Sequence, residues 1–144
     1  MSSVTFGHCT PILRVADLDA SLAYYTGVLG FTLDWRADDF AQVARGQSAL
    51  MLSQGKQGHA GTWVYVGVND ADALLAELQP RGAIVRHPPA NYPWGARELH
   101  VSDPDGHVLR FGSDAVAGEP IGDWLDGDGV RWSWQPDGSW RPAN

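Results

Sequence analysis

Cysteine occurs once in this chain, at Cys9, so no internal disulfide can form and the composition fits a reducing, cytoplasmic setting. Basic residues are also few, ten Lys and Arg against seventeen Asp and Glu, for a net charge of −7. Binding a phosphate backbone needs clustered Lys and Arg, which excludes a nucleic acid as the partner. The acidic balance permits a cationic ligand, attracted by the overall field, and is equally that of an ordinary solubilising surface. No stretch approaches the roughly 18–20 apolar residues that cross a bilayer, and Met1-Ser-Ser-Val-Thr5 has no basic-then-apolar leader pattern, so no membrane partner is expected. Signatures of covalent chemistry are missing as well. There is no Gly-x-Ser-x-Gly elbow, and Gly55 and Gly58 lack the lysine-serine context of a phosphate loop. Cys9, on the opposite strand face from Thr10, reads as a buried and inert thiol. No catalytic residue is assigned, and Glu98 and Asp39 are two scattered carboxylates rather than an acid–base pair.

What is present is a repeat. Asp17-Leu-Asp-Ala-Ser-Leu-Ala23 is echoed by Asp70-Ala-Asp-Ala-Leu-Leu-Ala76. Each copy follows a strand-like run, Pro11-Ile-Leu-Arg-Val15 or Trp63-Val-Tyr-Val-Gly-Val68, and precedes a glycine and a second apolar run. A repeat of this kind dictates architecture. The spacing predicts a strand over 4–15, a helix over Leu18–Leu29 capped by Asp17, and short strands over 31–36, 40–44 and 48–53. Pro11 has no donor for a strand ladder, so the first strand lies at an edge, is bulged, or leaves its own subunit. Gln54–Gly61 is a glycine-rich connection. The second half repeats the order: a strand over 62–68, a helix over Ala71–Leu78, then strands over 83–87, 97–102 and 107–112. Asp103-Pro-Asp-Gly106 is a strong turn signal between the last two. The expected fold is therefore α+β, with two tandem β-α-β-β-β modules, about 4–53 and 62–113, whose curved mixed sheets line a pseudo-symmetric cleft.

Residues 114–144 differ in kind, carrying Trp124, Trp132, Trp134 and Trp140 among turn signals. They read as a Trp-rich C-terminal extension with a hairpin over Val130–Gln135 and Ser139–Arg141, packed on the main domain. Closure over the ligand cleft is the alternative.

Arg14-Val-Ala-Asp17, Tyr25, Val28-Leu-Gly-Phe31 and Asp103-Pro-Asp-Gly106 together resemble the glyoxalase/bleomycin resistance/dioxygenase superfamily, also called vicinal oxygen chelate. The likeness covers roughly residues 8–113, within an expected domain of 1–113. Three stretches are similar to its bleomycin-binding branch: Asp34-Trp-Arg-Ala-Asp-Asp-Phe-Ala41, Trp63-Val-Tyr-Val66, and Tyr92-Pro-Trp-Gly95 followed by Arg97-Glu-Leu. Pro11 matches a proline in that branch's exchanged N-terminal strand.

Enzymes of the superfamily generally hold a divalent ion on four strands. The positions that the resemblance assigns to it carry Thr10, Trp63 and Arg110 here, and the strand Gln47–Ser53 has no Asp, Glu, His or Cys. A guanidinium stays protonated and repels a cation, so neither metal nor other cofactor is expected. The five histidines read as surface or rim residues without ligand spacing; His8 and His100 are the candidates for a displaced site.

The resemblance then implies a metal-free binding protein that sequesters a planar, cationic, antibiotic-like molecule without converting it. The expected ligand-binding residues are Asp34, Trp35, Asp38, Phe40, Ser53, Trp63, Tyr65, Trp94 and Arg110, the indoles and rings for stacking and the aspartates for amines. The family also implies a homodimer with strand exchange and a cleft shared between subunits. The rival reading is a metal-dependent lyase, isomerase, thiol transferase or dioxygenase of the same superfamily.

Overall fold

The structure is a computed structural model that describes residues 3–143. The chain divides into two compact units. The first runs to Thr62 and includes the turn Pro104–His107; the second holds Trp63–Asp103 and everything from Val108 onward.

In the first unit, β1 (Ile12–Arg14), α1 (Leu18–Ala23), β2 (Thr32–Arg36), β3 (Phe40–Arg45) and β4 (Ser48–Ser53) form a four-stranded sheet in the order β1-β4-β3-β2. Only β1 against β4 is parallel. The expected strand over 4–15 shrinks to three residues. Pairing begins where the Pro11 carbonyl accepts the Met51 amide, 2.9 Å, and residues upstream of it have no partner strand among the described residues of this unit. Cys9 therefore lies in an exposed arm, not buried as the alternation implied, and Phe6 is 96% exposed.

Asp17 caps α1, its carboxylate accepting the Ala20 amide at 3.1 Å. The expected helix to Leu29 changes at Tyr24 into a wide π turn over Tyr24–Val28. That widening buries two consecutive tyrosines, which meet edge-to-face at 6.0 Å, with Phe31 closing on Tyr25 at 5.8 Å. The core forms between this helix and one sheet face: Leu13, Leu18, Leu22, Ala41, Val43, Leu50 and Leu52 are all buried, following the alternation of the strands. His107 ties the unit's ends together. Its Nδ1 accepts the Thr62 amide and its Nε2 donates to the Arg14 carbonyl, so this buried ring is structural and not at the surface.

The second unit repeats the plan. β5 (Trp63–Gly67), α2 (Ala71–Leu78), β6 (Ile84–Asn91), β7 (Ala96–Ser102) and β8 (Val108–Asp114) give the sheet order β5-β8-β7-β6, again with only the outer β5–β8 pair parallel. Asp70 caps α2 through the Ala73 amide, 2.9 Å, and Asp72 on its first turn takes a two-pronged bond from Arg97 at 2.7 and 3.0 Å. Leu99, Val101, Leu109 and Phe111 face α2 and make the core. The repeat seen in the sequence is thus a repeat of this unit, and the fold is α+β with two curved mixed sheets.

Beyond β8 the extension forms a third sheet of β9 (Trp124–Leu125), β10 (Arg131–Trp134) and β11 (Trp140–Pro142), in the order β11-β10-β9. The hairpin was expected; β9 was not. Asn91 anchors the approach, its side chain donating to the Val116 carbonyl at 2.6 Å and accepting the Val116 amide at 3.1 Å. Gly122 then slides past Ala90, where a Cβ would lie 2.4 Å from the alanine methyl.

Candidate functional site

Strand register decides what the open face of the second sheet presents. Tyr65 pairs with Arg110, Arg110 with His100, and His100 with His87, so these side chains stand on one side of the sheet in a row. Glu98 is opposite Gly112, and Trp63 opposite Val108, on the same side. Gly112 has to be glycine because the Tyr65 ring lies over it; a Cβ would be 1.9 Å from the tyrosine oxygen.

Glu98 is the centre of this face. It is fully buried, and its two oxygens accept from Arg110 Nε and Nη2 at 2.8 and 2.9 Å, from His100 Nε2 at 2.9 Å, and from Trp94 Nε1 at 2.5 Å. Burial pushes its carboxyl up, but the bonds from His100, Arg110 and Trp94 outweigh burial and bring it down to about 2. The carboxylate is thus ionised and fully engaged, which removes it from acid–base work at neutral pH. His100 is also fully buried, with Nδ1 lacking any partner among the described residues. His87 beside it bonds the Pro88 carbonyl at 2.7 Å, and burial holds its pKa below the usual histidine value. These two histidines are interior groups, contrary to the surface placement expected from their spacing. His8 is exposed, in the N-terminal arm.

Aromatic rings close around this centre. Tyr92 and Trp94 stack face to face at 5.2 Å in the β6–β7 loop, and Tyr92 lies flat on His100 at 5.9 Å. Trp124 of the extension then seats itself on the face. It meets His100 at 5.0 Å, Tyr92 at 5.4 Å, Trp94 at 5.5 Å and Trp63 at 5.9 Å. The Arg110 guanidinium sits 5.0 Å from the Trp124 ring, 5.4 Å from Tyr65 and 5.6 Å from Trp94. Backbone bonds hold the extension there, with Arg86 donating to the Leu125 and Asp126 carbonyls and the Tyr92 hydroxyl to the Asp123 carbonyl. A hollow of about 710 Å³ opens beside Trp124, lined by Trp94, Arg110, Asp126, Trp132 and Trp140.

Of the residues expected from the sequence, Trp94 and Arg110 line this hollow. Tyr65, half exposed, lies along the same face, and a second concavity of about 510 Å³ runs from it past Trp94 to Asp114. Trp63 is placed differently from a free stacking platform, because Trp124 covers one side of it and the Arg86 guanidinium stands 5.0 Å over its ring. In the first unit, Trp35 and Phe40 stack at 5.7 Å and 8°, with Phe40 paired to Ser53 across β3 and β4. Asp34 accepts from Gln42 at 3.0 Å, and Asp38 stands exposed in the β2–β3 turn. Sequence reasoning missed Trp124, Trp132 and Trp140 as lining residues; their clustering in the extension was visible, but not the face on which they would land.

The donor set of the second unit does not fit a divalent ion. The one carboxylate on the face has its oxygens occupied by four N–H groups, and a guanidinium stands where a ligand would be needed. No group of three or more His, Cys, Asp or Glu side chains able to hold a metal occurs among the described residues.

Comparison with known proteins agrees with the fold. The family model described as "Glyoxalase/Bleomycin resistance protein/Dioxygenase superfamily" matches residues 5–111. The crystal structure of the bleomycin-binding protein of Streptomyces verticillus, complexed with copper(II)-bleomycin, is similar at 30% identity and a TM-score of 0.67. That match covers 77% of this chain and 98% of the other. A glyoxalase/bleomycin resistance protein/dioxygenase from Nocardioides is 26% identical with a TM-score of 0.63, over 83% of this chain and 91% of that one. A probable lactoylglutathione lyase of Vibrio cholerae is 27% identical, over 69% of this chain and 85% of the relative. The extension, residues 114–144, lies wholly outside the family match, which ends at residue 111. Repeat, sheet order and sequence match converge, and the chain belongs to the glyoxalase/bleomycin resistance protein/dioxygenase superfamily.

Proposed function

We propose that the protein binds a planar, antibiotic-like small molecule and holds it without converting it. The observation that carries this reading is the state of Glu98. The one carboxylate on the open face of the second sheet is ionised and spent on Arg110, His100 and Trp94, so the face offers rings and hydrogen-bond donors and no free carboxylate for acid–base work or for a metal. Stacking on indoles is worth about 1–3 kcal/mol per ring by analogy with base stacking, so a few such contacts reach micromolar affinity. Sequestration needs nothing more.

A homodimer with exchanged N-terminal strands is part of the proposal, supported by the exposed Val4 and Phe6 and by Pro11 immediately before β1. A cytoplasmic setting is also proposed, on the single exposed thiol of Cys9. The cationic character expected of the ligand draws on the net charge and on Asp34 and Asp38 of the first unit.

The rival is a metal-dependent enzyme such as the lyase of the Vibrio relative. Two measurements on chelator-treated protein separate them. Bleomycin and small polycyclic dyes are titrated against tryptophan fluorescence, and lactoylglutathione formation is followed with and without added nickel or zinc. Saturable quenching with no metal-stimulated turnover is expected; turnover that needs the metal would replace this reading with the enzymatic one.

A further inference from the structure

The hollow beside Trp124 is largely a product of the extension, which supplies Trp124, Asp126, Trp132 and Trp140 to a wall completed by Trp94 and Arg110. Its volume of about 710 Å³ lies in the range, about 300–1,000 Å³, of pockets that take drug-sized ligands. Its polar inventory is one-sided. Trp94 Nε1 is tied to Glu98, and Trp132 Nε1 to Asp126 at 2.8 Å. The Asp126 carboxylate also accepts the Asp128 and Val130 amides at 2.9 and 2.8 Å, so three donors already engage it. Among the described residues nothing accepts from Arg110 Nη1 or from the indole nitrogens of Trp124 and Trp140. The groups left over are donors.

Charge narrows the ligand further. The place where a cation would sit among Tyr65, Trp94 and Trp124 is held by the Arg110 guanidinium. A cationic ligand at that point would face a like charge. Arg110 is in turn neutralised by Glu98, which takes two of its donors, and the Asp126 carboxylate in the same wall is balanced by Arg86, so neither an anion nor a cation is drawn in by net charge. An uncharged acceptor suits this balance best.

We infer that the C-terminal extension makes the second unit a binding site for a flat, uncharged polycyclic molecule with a carbonyl oxygen on its edge. Its rings lie among Trp94, Trp124, Trp132 and Trp140, and its oxygen accepts from Arg110 Nη1. This rests on the small-molecule reading above and names the ligand chemistry of the second unit. It departs from the cationic ligand that the family resemblance implies.

Two fluorescent probes with one ring skeleton test it: acridone, neutral with a ring carbonyl, and proflavine, cationic without one. Anisotropy titrations of the full-length protein are expected to show acridone binding at least about tenfold tighter than proflavine. Trp140→Ala and Trp132→Ala each weaken acridone roughly tenfold, as loss of one stacking wall does. Trp140→Leu keeps bulk without a π face and gives the same loss if the alanine variant does not fold. Arg110→Lys keeps a charge beside Glu98 but loses the planar fork, and it narrows the preference for acridone. Proflavine binding as tightly as acridone would overturn the carbonyl assignment while leaving a planar-ligand protein standing. Acridone affinity unchanged in folded Trp140→Leu and Trp132→Ala variants would overturn the role of the extension. Failure of bleomycin and both dyes to bind the wild-type protein would overturn the binding reading itself.

Discussion

Replacing Glu98 with glutamine tests the electrostatic centre of the second unit. The side chain is fully buried and serves Arg110, His100 and Trp94 at once. An amide of the same shape leaves the Arg110 charge without its partner and turns an N–H group toward other donors. Breaking a buried pair from one side costs about 3–5 kcal/mol, and that loss is expected near neutral pH. Acid gives a second, independent reading. Burial alone would raise the Glu98 carboxyl, but its hydrogen bonds bring it from 4.5 down to about 2 in the folded protein. The unfolded chain therefore takes up this proton first as pH falls. The stabilisation is complete above about 4.5 and drains away toward 2. At about 1.4 kcal/mol per unit it amounts to something on the order of 3 kcal/mol. Urea unfolding at pH 6, 4 and 3 should show the wild-type protein losing stability across this window more steeply than Glu98→Gln. Asp72, whose carboxyl Arg97 also holds low, contributes equally to both proteins and cancels in the difference. Equal acid slopes, or a neutral-pH loss under about 1 kcal/mol, would refute the argument that Glu98 organises this face.

Gly112→Ala places a methyl where the Tyr65 ring lies, so the ring has to leave Arg110; a loss of about 1–3 kcal/mol is expected, read as a lower Tm. Phe6→Glu puts a charge on the exposed arm, and sedimentation equilibrium should then show the proposed dimer shifted toward monomer, whereas an unchanged mass would argue against strand exchange. Treatment with a chelator is expected to leave Tm unchanged, and a rise in Tm on adding nickel or zinc would contradict the reading of the donor set.

The doubling of the β-α-β-β-β unit was legible because Asp17 and Asp70 both cap helices that follow a strand and precede a glycine, a purely local pattern. The Asp103-Pro-Asp-Gly106 turn was legible for the same reason. Within its own unit the arm pairs only from Ile12, because alternation at Val4 and Phe6 shows that a strand is possible, not that a partner is in reach. The π turn at Tyr24 answers to packing, where two tyrosines had to be buried together. Trp94 and Arg110 could be picked out by their likeness to a family pattern. The landing of Trp124 on His100 could not, because it depends on Asn91, Tyr92 and Arg86 catching the extension through long-range backbone bonds. Nothing in the spacing of those three residues announces that role. Nor did the spacing of His87 and His100 reveal that both would be interior, since that follows from Tyr92 and Trp124 covering them.

Retention without conversion is the central claim, and equilibrium dialysis of chelator-treated protein against acridone, followed by mass spectrometry of the recovered probe, tests it most directly. The account predicts saturable retention of acridone by the full-length chain, recovered at its original mass after prolonged incubation and unaffected by added nickel or zinc. A chemically altered probe, retention that requires the metal, or no retention of acridone, proflavine or bleomycin would contradict it.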